Sequence, residues 1–215
     1  MKSILGVILV CLIYGCTIVD EQFKADQLPK KNIFIDIPKR GISNMHEGIN
    51  YERDRIGALD TLENGYDGYQ FRIWYAYHTP WNEYNEADRH VVVIKYQKGW
   101  QAELVSSCWK FTPDSAFMVN KWIKRGTPKM GWNPFIDSLV KLGIVTRKDD
   151  SQIEGMYVDI RGDVVHFEVA TENLYRFYTI ASAKELKDSI PEAARVMKIL
   201  HLVRNQLSFH ELPEN

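Results

Sequence analysis

The run of strand-like segments between residues 64 and 124 constrains the fold more than any other feature of the sequence. It opens with the dense turn sequence Asn64-Gly65-Tyr66-Asp67-Gly68. The segments that follow are rich in β-branched and aromatic residues, and most are separated by short turns, which predicts an antiparallel meander. A helix over residues 115–124 is the main alternative for its last strand. The predicted strands cover residues 69–77, 90–96, 100–111 and 117–124.

Two helices are predicted after the meander. The first covers about 133–142, where Asn133 can cap the helix, Pro134 suits its first turn and Gly143 suits its end. The second covers about 190–209 and begins at Ser189-Ile190-Pro191-Glu192, which has capping-box spacing. Each carries an apolar stripe at helical spacing, so we expect both to pack on a sheet.

Further strands are predicted around these helices. Residues 156–160, 164–170 and 175–180 form a later hairpin group, and 32–38 is a short strand near the start of the folded region. Residues 51–62 are a weaker helix candidate because Gly57 interrupts them. The order of elements predicts an α+β fold, with helices on antiparallel sheet, in a single domain over residues 32–215. One continuous sheet and two similar halves are both compatible with this order.

The N-terminus has the build of a secretory signal. Met1-Lys2-Ser3 is short and positively charged, and Ile4 to Ile13 is almost wholly apolar. The apolar run is too short to span a bilayer core, which takes about 20 residues. A polar stretch, residues 16–31, follows and reads as a tether. As a random coil it would reach about 20 Å on average.

The end of the apolar run, Leu12-Ile13-Tyr14-Gly15-Cys16, resembles the lipobox of bacterial lipoproteins. This resemblance implies a signal peptide over residues 1–15, cleavage before Cys16 and lipid attachment to Cys16. The acylated Cys16 would make the membrane a partner and place the protein in the bacterial cell envelope. Thr17 follows Cys16, where enterobacterial sorting to the inner membrane uses Asp, so the resemblance favours the outer membrane.

Composition excludes some classes of function. The chain has 27 basic and 28 acidic residues, a net charge of −1, which gives no electrostatic basis for binding nucleic acid. None of the common catalytic or nucleotide-binding motifs is present, and the six histidines do not have metal-ligand spacing. We therefore predict no metal and no cofactor. With Cys11 removed and Cys16 acylated, Cys108 would have no disulfide partner.

Two features are candidate binding sites for a protein or carbohydrate partner. Arg72 and Trp74 lie on the same face of the strand from residue 69, and a tryptophan beside planar donors can bind a ligand by stacking and hydrogen bonding. Cross-strand packing of Trp74 is the alternative. The second candidate is the long acidic loop 78–89, which holds Trp81 and Tyr84. A lid folded back onto the meander is the alternative for this loop.

The acidic residues give a weaker indication of chemistry. Asp149-Asp150 follows two basic residues in a polar loop and reads as a solvated charge run. His166 and Glu168 share one face of a strand, either as part of a water-exposed sheet face or as an acid–base or ligand pair. In an enzyme acting on carbohydrate or cell wall, dispersed carboxylates such as Glu103 and Glu168 would have to meet across a cleft.

The sequence therefore favours an envelope lipoprotein with a non-enzymatic binding or interaction domain. A carbohydrate- or cell-wall-active enzyme is the first alternative. A structural accessory of an envelope complex is the second, and an exposed apolar patch would indicate it.

Overall fold

A computed structural model describes residues 32–38, 45–75, 86–112, 115–156 and 163–213. Within these ranges the chain forms one mixed sheet, four α-helices and a 3₁₀ turn at Asp150–Gln152. This is the α+β class that the sequence predicts. In chain order the elements are β1 Phe34–Asp36, α1 Met45–Ile56, β2 Tyr69–Tyr75, β3 Glu86–Tyr96, β4 Trp100–Phe111, β5 Ala116–Gly126, α2 Trp132–Lys141, β6 Val164–Thr171, β7 Leu174–Ala181, α3 Ala183–Leu186 and α4 Pro191–Leu207.

The strands of the described ranges form one continuous sheet in the order β1-β7-β6-β2-β3-β4-β5. The predicted meander β2 to β5 is confirmed, including β5 as a strand rather than a helix. The later hairpin β6–β7 joins it because β6 pairs antiparallel with β2. The expectation of a wholly antiparallel sheet is wrong at one edge, where the three-residue β1 lies parallel to β7.

The predicted helices α2 and α4 pack on one face of the sheet. Gly143 follows α2 with φ +87°, the left-handed conformation expected at a helix end. Pro191 occupies the first turn of α4 as predicted. The predicted side-chain caps are wrong, because Gly131 and Ile190 stand at the two N-cap positions and neither makes a side-chain cap. The core between these helices and the sheet includes Phe71, Ile73, Leu104, Phe135, Leu139, Phe167, Val196, Leu200 and Val203.

The other face of the sheet is covered by α1 and the segment up to residue 68. The helix begins and ends about six residues earlier than predicted, and Gly57, with φ +62°, lies just beyond its last residue. A second core forms here, which contains Ile49, Ile56, Leu62, Tyr66, Trp74, Val93, Val105, Trp109, Tyr175 and Phe177. The central strands β2 and β6 are therefore buried on both faces, and the alternative of a water-exposed face behind His166 and Glu168 is wrong.

Several predictions fall outside the described residues. They are the signal peptide 1–15, Cys16 with the tether 16–31, most of the loop 78–89 and the strand 156–160 apart from its first residue. No helix in the described ranges is long and apolar enough to cross a membrane.

Candidate functional site

Arg72 and Trp74 belong to a buried polar cluster centred on Glu168. The register of β2 on β6 places Arg72 directly opposite Glu168. Trp74 Nε1 donates a hydrogen bond of 2.7 Å to Glu168 Oε2, and Arg72 Nη1 lies 3.5 Å from the same oxygen. All three side chains are at most 1% exposed. The predicted shared face is therefore real, but it faces α1 and not the solvent.

The remaining donors of Arg72 are also satisfied. Its Nη2 donates to the carbonyl oxygen of Asp60 at 2.6 Å. The hydrogen-bond network assigns the Gln70 amide with its oxygen towards Arg72, where it accepts from Nε at 3.0 Å and from Nη2 at 3.2 Å. The guanidinium of Arg72 therefore has a structural role. Its hydrogen bonds connect β2 to the segment that follows α1.

The second oxygen of Glu168 connects the sheet to α1. Tyr175 OH donates to Glu168 Oε1 at 3.0 Å, and His46 Nε2 lies 2.9 Å from the same hydroxyl oxygen. Burial, together with the neighbouring Glu168 charge, raises the pKa of Tyr175, so this hydroxyl stays protonated. Because its proton points to the carboxylate, the hydroxyl oxygen accepts from His46, whose Nε2 carries the proton.

The cluster continues towards the surface through Glu63. His46 Nε2 is 3.4 Å from Glu63 Oε1, and Arg53 Nη1 donates to the same carboxylate at 3.2 and 3.3 Å. Burial raises the pKa of Glu63, but the hydrogen bond from His46 and the charge of Arg53 outweigh it and lower the pKa to about 2. An ion pair at the partly exposed rim therefore fastens α1 over the cluster.

The cluster does not form an accessible binding or catalytic site in this conformation. A ligand cannot stack on Trp74 or reach Arg72 without displacing α1, so the prediction of an open ligand-binding face at these two residues is wrong. The physical reason is that α1 supplies apolar and polar partners for a face that the sequence alone left unpaired. Cross-strand packing, the alternative reading of Trp74, describes its position.

The carboxylates of Glu103 and Glu168 are not arranged as a hydrolytic pair. The registers align Glu168, Arg72, Val93 and Glu103 in one row across four strands. Three strand spacings separate the backbones of the two glutamates by about 14 Å. Glycoside hydrolysis needs carboxylates roughly 5–9.5 Å apart. Glu103 instead pairs with Arg125 at 3.1 Å and with Lys95 at 3.9 Å.

Asp149 and Asp150 are buried, which corrects their interpretation as a solvated charge run. Asp149 accepts backbone hydrogen bonds from Ser151 at 3.0 Å and Thr179 at 2.9 Å, and Asp150 accepts one from Ala181 at 3.0 Å. These bonds close the 3₁₀ turn against β7. His166, also buried, has its Nδ1 2.9 Å from Thr179 Oγ1 and stacks on Phe177. The contacts of these three side chains are therefore internal to the fold and stabilise it.

β5, the edge strand, carries most of the large hydrophobic residues of the meander that are exposed in the described ranges. Four of them, Phe117, Val119, Trp122 and Ile123, are between 38% and 51% exposed. Trp122 faces the side of α4 and Ile123 the side of α1, since they lie opposite Ser106 and Val105 of β4. In the described ranges no strand pairs with the outer edge of β5. This edge is the candidate interaction surface.

The same strand is rich in positive charge. From Ser115 to Ile136 the sequence has four cationic residues and no acidic one. Lys124 lies 3.7 Å from Glu211, and Arg125 pairs with Glu103, whereas Lys121 Nζ donates to the carbonyl oxygen of Ile56 at 2.7 Å. The strand therefore presents three cations against two neighbouring carboxylates. The sequence signal that could have indicated β5 is this stretch of 22 residues, which contains basic residues and no acidic one.

Two of the predicted binding residues, Trp81 and Tyr84, lie outside the described residues. Cys108, on β4, is only partly buried and forms no disulfide with another described residue. In the described part of the chain, no group of three or more His, Cys, Asp or Glu side chains is placed to hold a metal ion. Of the two sheet edges in the described ranges, β5 is the longer and is the stronger candidate for binding a partner.

Comparison with known proteins gave no matching family model, no matching curated protein and no matching solved structure.

Proposed function

We propose that this protein is a lipid-anchored protein of the bacterial cell envelope whose folded domain binds an extended, acidic segment of a partner protein along β5. The observation that carries the binding role is an eleven-residue edge strand with four half-exposed large apolar side chains. The expected acylation of Cys16 supports the anchor. Binding needs no catalytic group in this mode, because backbone hydrogen bonds supply much of the affinity.

An edge strand of this length presents a row of backbone groups that can pair with another strand. Proteins commonly protect such edges by keeping them short, and β1 at the opposite edge has only three residues. β5 is not short, and its large apolar side chains remain in contact with water. An added strand would satisfy the backbone groups and cover those side chains.

Charge complementarity favours an acidic segment over a second copy of this chain. Two copies of β5 paired with each other would bring Lys121, Lys124 and Arg125 of both strands together. Like charges placed opposite each other destabilise strand pairing. An extended segment that alternates acidic and apolar residues would instead place its apolar side chains on the α1 side of the sheet, near Ile123, and its carboxylates on the α4 side, near Lys124.

The anchor would keep this surface close to the membrane. A tether over residues 16–31 reaches about 20 Å as a random coil. A partner segment at the envelope surface would then meet β5 at high local concentration. The apolar and charged side chains of the edge would select the segment.

The test uses two labelled ten-residue peptides that alternate valine with glutamate or with lysine. Each is titrated against the full-length protein in neutral detergent, with fluorescence anisotropy as the readout. We expect saturable binding of the glutamate peptide only. In the double variant Val119→Ser/Ile123→Ser the affinity should fall at least about tenfold, since two apolar contacts worth together more than roughly 1.4 kcal/mol are lost.

Val140→Ser is the matched control, because Val140 is 49% exposed on α2, close to the 51% of Val119 on β5. This variant should bind the glutamate peptide as the natural protein does. Equal binding of the two peptides, or undiminished binding by the β5 double variant, would rule out the proposed surface.

Trp81 and Tyr84 remain candidate contacts for the same partner. Their loop joins β2 to β3, and the motivation is its length and its aromatic residues. Deletion of residues 80–85 separates the two surfaces in the same titration. If the loop contributes, the deletion weakens binding of the glutamate peptide; unchanged affinity removes Trp81 and Tyr84 from the site.

A further inference from the structure

A groove of about 510 Å³ lies between α2 and α4, on the helical side of the sheet. Its surface is mostly apolar and includes Leu142 and Leu202. The lysines Lys141 and Lys198 and the imidazole of His201 also line it. The volume falls within the range of small-molecule sites, which is roughly 300–1,000 Å³.

The charged groups that line this groove are cationic. Among the described residues no carboxylate lines it. Neither Lys141 nor Lys198 forms an ion pair with any of the described residues, in contrast to cations such as Arg53, Arg125 and Arg176. The two lysines come from different helices, and both line the groove because α2 and α4 pack on the same face of the sheet. An occupant that carries a negative charge would interact favourably with both of them.

His201 provides a second, independent indication. Its Nε2 lies 2.7 Å from the amide nitrogen of Asn205, so this ring nitrogen accepts and the neutral ring carries its proton on Nδ1. Nδ1 is buried and has no hydrogen-bond partner among the described residues. An unsatisfied buried donor destabilises the fold. Because His201 lines the groove, an acceptor oxygen of a bound molecule would satisfy this donor.

We propose that the groove between α2 and α4 binds a small amphipathic carboxylate. Its apolar body lies against Leu142 and Leu202, and its carboxylate lies between Lys141 and Lys198 and accepts a hydrogen bond from His201. The site is separate from β5, and it does not depend on the proposed binding of an acidic segment there. The groove is lined by only eight residues of the described chain, which suits a small molecule better than an extended lipid surface.

The probe is 4-phenylbutanoate, and 4-phenylbutanamide is its uncharged counterpart. Isothermal titration calorimetry measures both against the full-length protein reconstituted in phosphatidylcholine nanodiscs. We expect the carboxylate to bind at least about tenfold more tightly than the amide, equivalent to roughly 1.4 kcal/mol. In Lys141→Ala/Lys198→Ala this preference should disappear. Both lysines are exposed helix residues, so alanine is compatible with folding.

The control is Lys110→Ala/Lys184→Ala, which removes two exposed lysines that do not line the groove. It should keep the preference, and so should Val119→Ser/Ile123→Ser, because β5 lies elsewhere. His201→Phe keeps the apolar surface and should weaken binding of the carboxylate more than binding of the amide, because a charged carboxylate is the stronger hydrogen-bond acceptor. Equal binding of the two probes, no saturable binding, or loss of preference in the control double variant would overturn the proposal. Binding of the protein to anionic vesicles without binding of the soluble carboxylate would also overturn it.

Discussion

Trp74 and Glu168 lie 94 positions apart in the chain and are joined by a hydrogen bond of 2.7 Å from the indole Nε1 to the carboxylate Oε2. Water reaches neither side chain. The carboxylate also accepts from Tyr175 and faces Arg72, so both of its oxygens are engaged. A buried charge persists in a fold only when it is paired and hydrogen-bonded in this way.

The variant Glu168→Leu should destabilise the fold by about 3–5 kcal/mol, because it leaves the Arg72 charge buried without its carboxylate. The double variant Arg72→Met/Glu168→Leu should lose less stability than Glu168→Leu alone, since no unpaired charge remains. It should still fall below the natural protein, because Trp74 Nε1 and Tyr175 OH lose their acceptor. Urea unfolding followed by circular dichroism measures each change. A double variant less stable than the single one would contradict this account of the pair.

Acid should loosen the contact between α1 and the segment that follows it. The folded state holds the pKa of Glu63 at about 2, below its ordinary value of 4.5. A lowered pKa means that the ion pair stabilises the fold above pH 4.5 and that this contribution is lost as the pH falls from 4.5 towards 2. We therefore expect Glu63→Gln to be less stable than the natural protein at pH 6 and nearly equal to it near pH 2.

Thermal unfolding at a series of pH values tests this expectation. Glu154→Gln, at an exposed position, is the matched control and should follow the natural protein throughout. A stability difference for Glu63→Gln that stays constant from pH 6 to pH 2 would show that the Glu63 charge does not fasten α1.

Two glycines should respond in opposite ways to alanine. Gly68 precedes β2 with φ +118°, and a Cβ there would collide with the carbonyl oxygen of Tyr96. Gly68→Ala should cost about 2–4 kcal/mol through backbone strain and the displaced β3–β4 turn. Gly48 lies inside α1 with open space around it, so Gly48→Ala should stabilise the fold by about 0.5–1 kcal/mol. Denaturant midpoints that shift in the same direction for both variants would refute this reading.

The anchor is tested at Cys16. A Cys16→Ala variant should lose labelling by fatty acid and leave the membrane fraction, because the acyl chains are expected to supply the membrane affinity. Cys108→Ala is the control and should keep both properties, since Cys108 lies on β4 within the folded sheet. Full membrane retention of Cys16→Ala would mean that another part of the protein holds it there.

Local patterns in the sequence determined most of the secondary structure. The turn residues from Asn64 to Gly68, the alternation in the meander and the Pro191 start of α4 depend on neighbours in the chain, and each corresponds to an element of the structure. The predicted caps at Asn133 and Ser189 were wrong because neither residue lies directly before its helix. Gly131 and Ile190 occupy the N-cap positions of α2 and α4, and the backbone conformation sets where each helix begins.

Burial and access were decided by tertiary structure. The sequence placed Arg72 and Trp74 on one face of β2, but α1, contributed by an earlier segment, determines that this face is covered. The sequence predicts that Asp149 and Asp150 are solvated. In the structure they are buried and accept hydrogen bonds from the backbone of β7. β5 has the composition of an ordinary strand, and only the strand order makes it an edge. Periodicity fixes which residues share a face, because it depends on backbone geometry alone. What covers that face depends on contacts between residues far apart in the chain, and no local pattern encodes them.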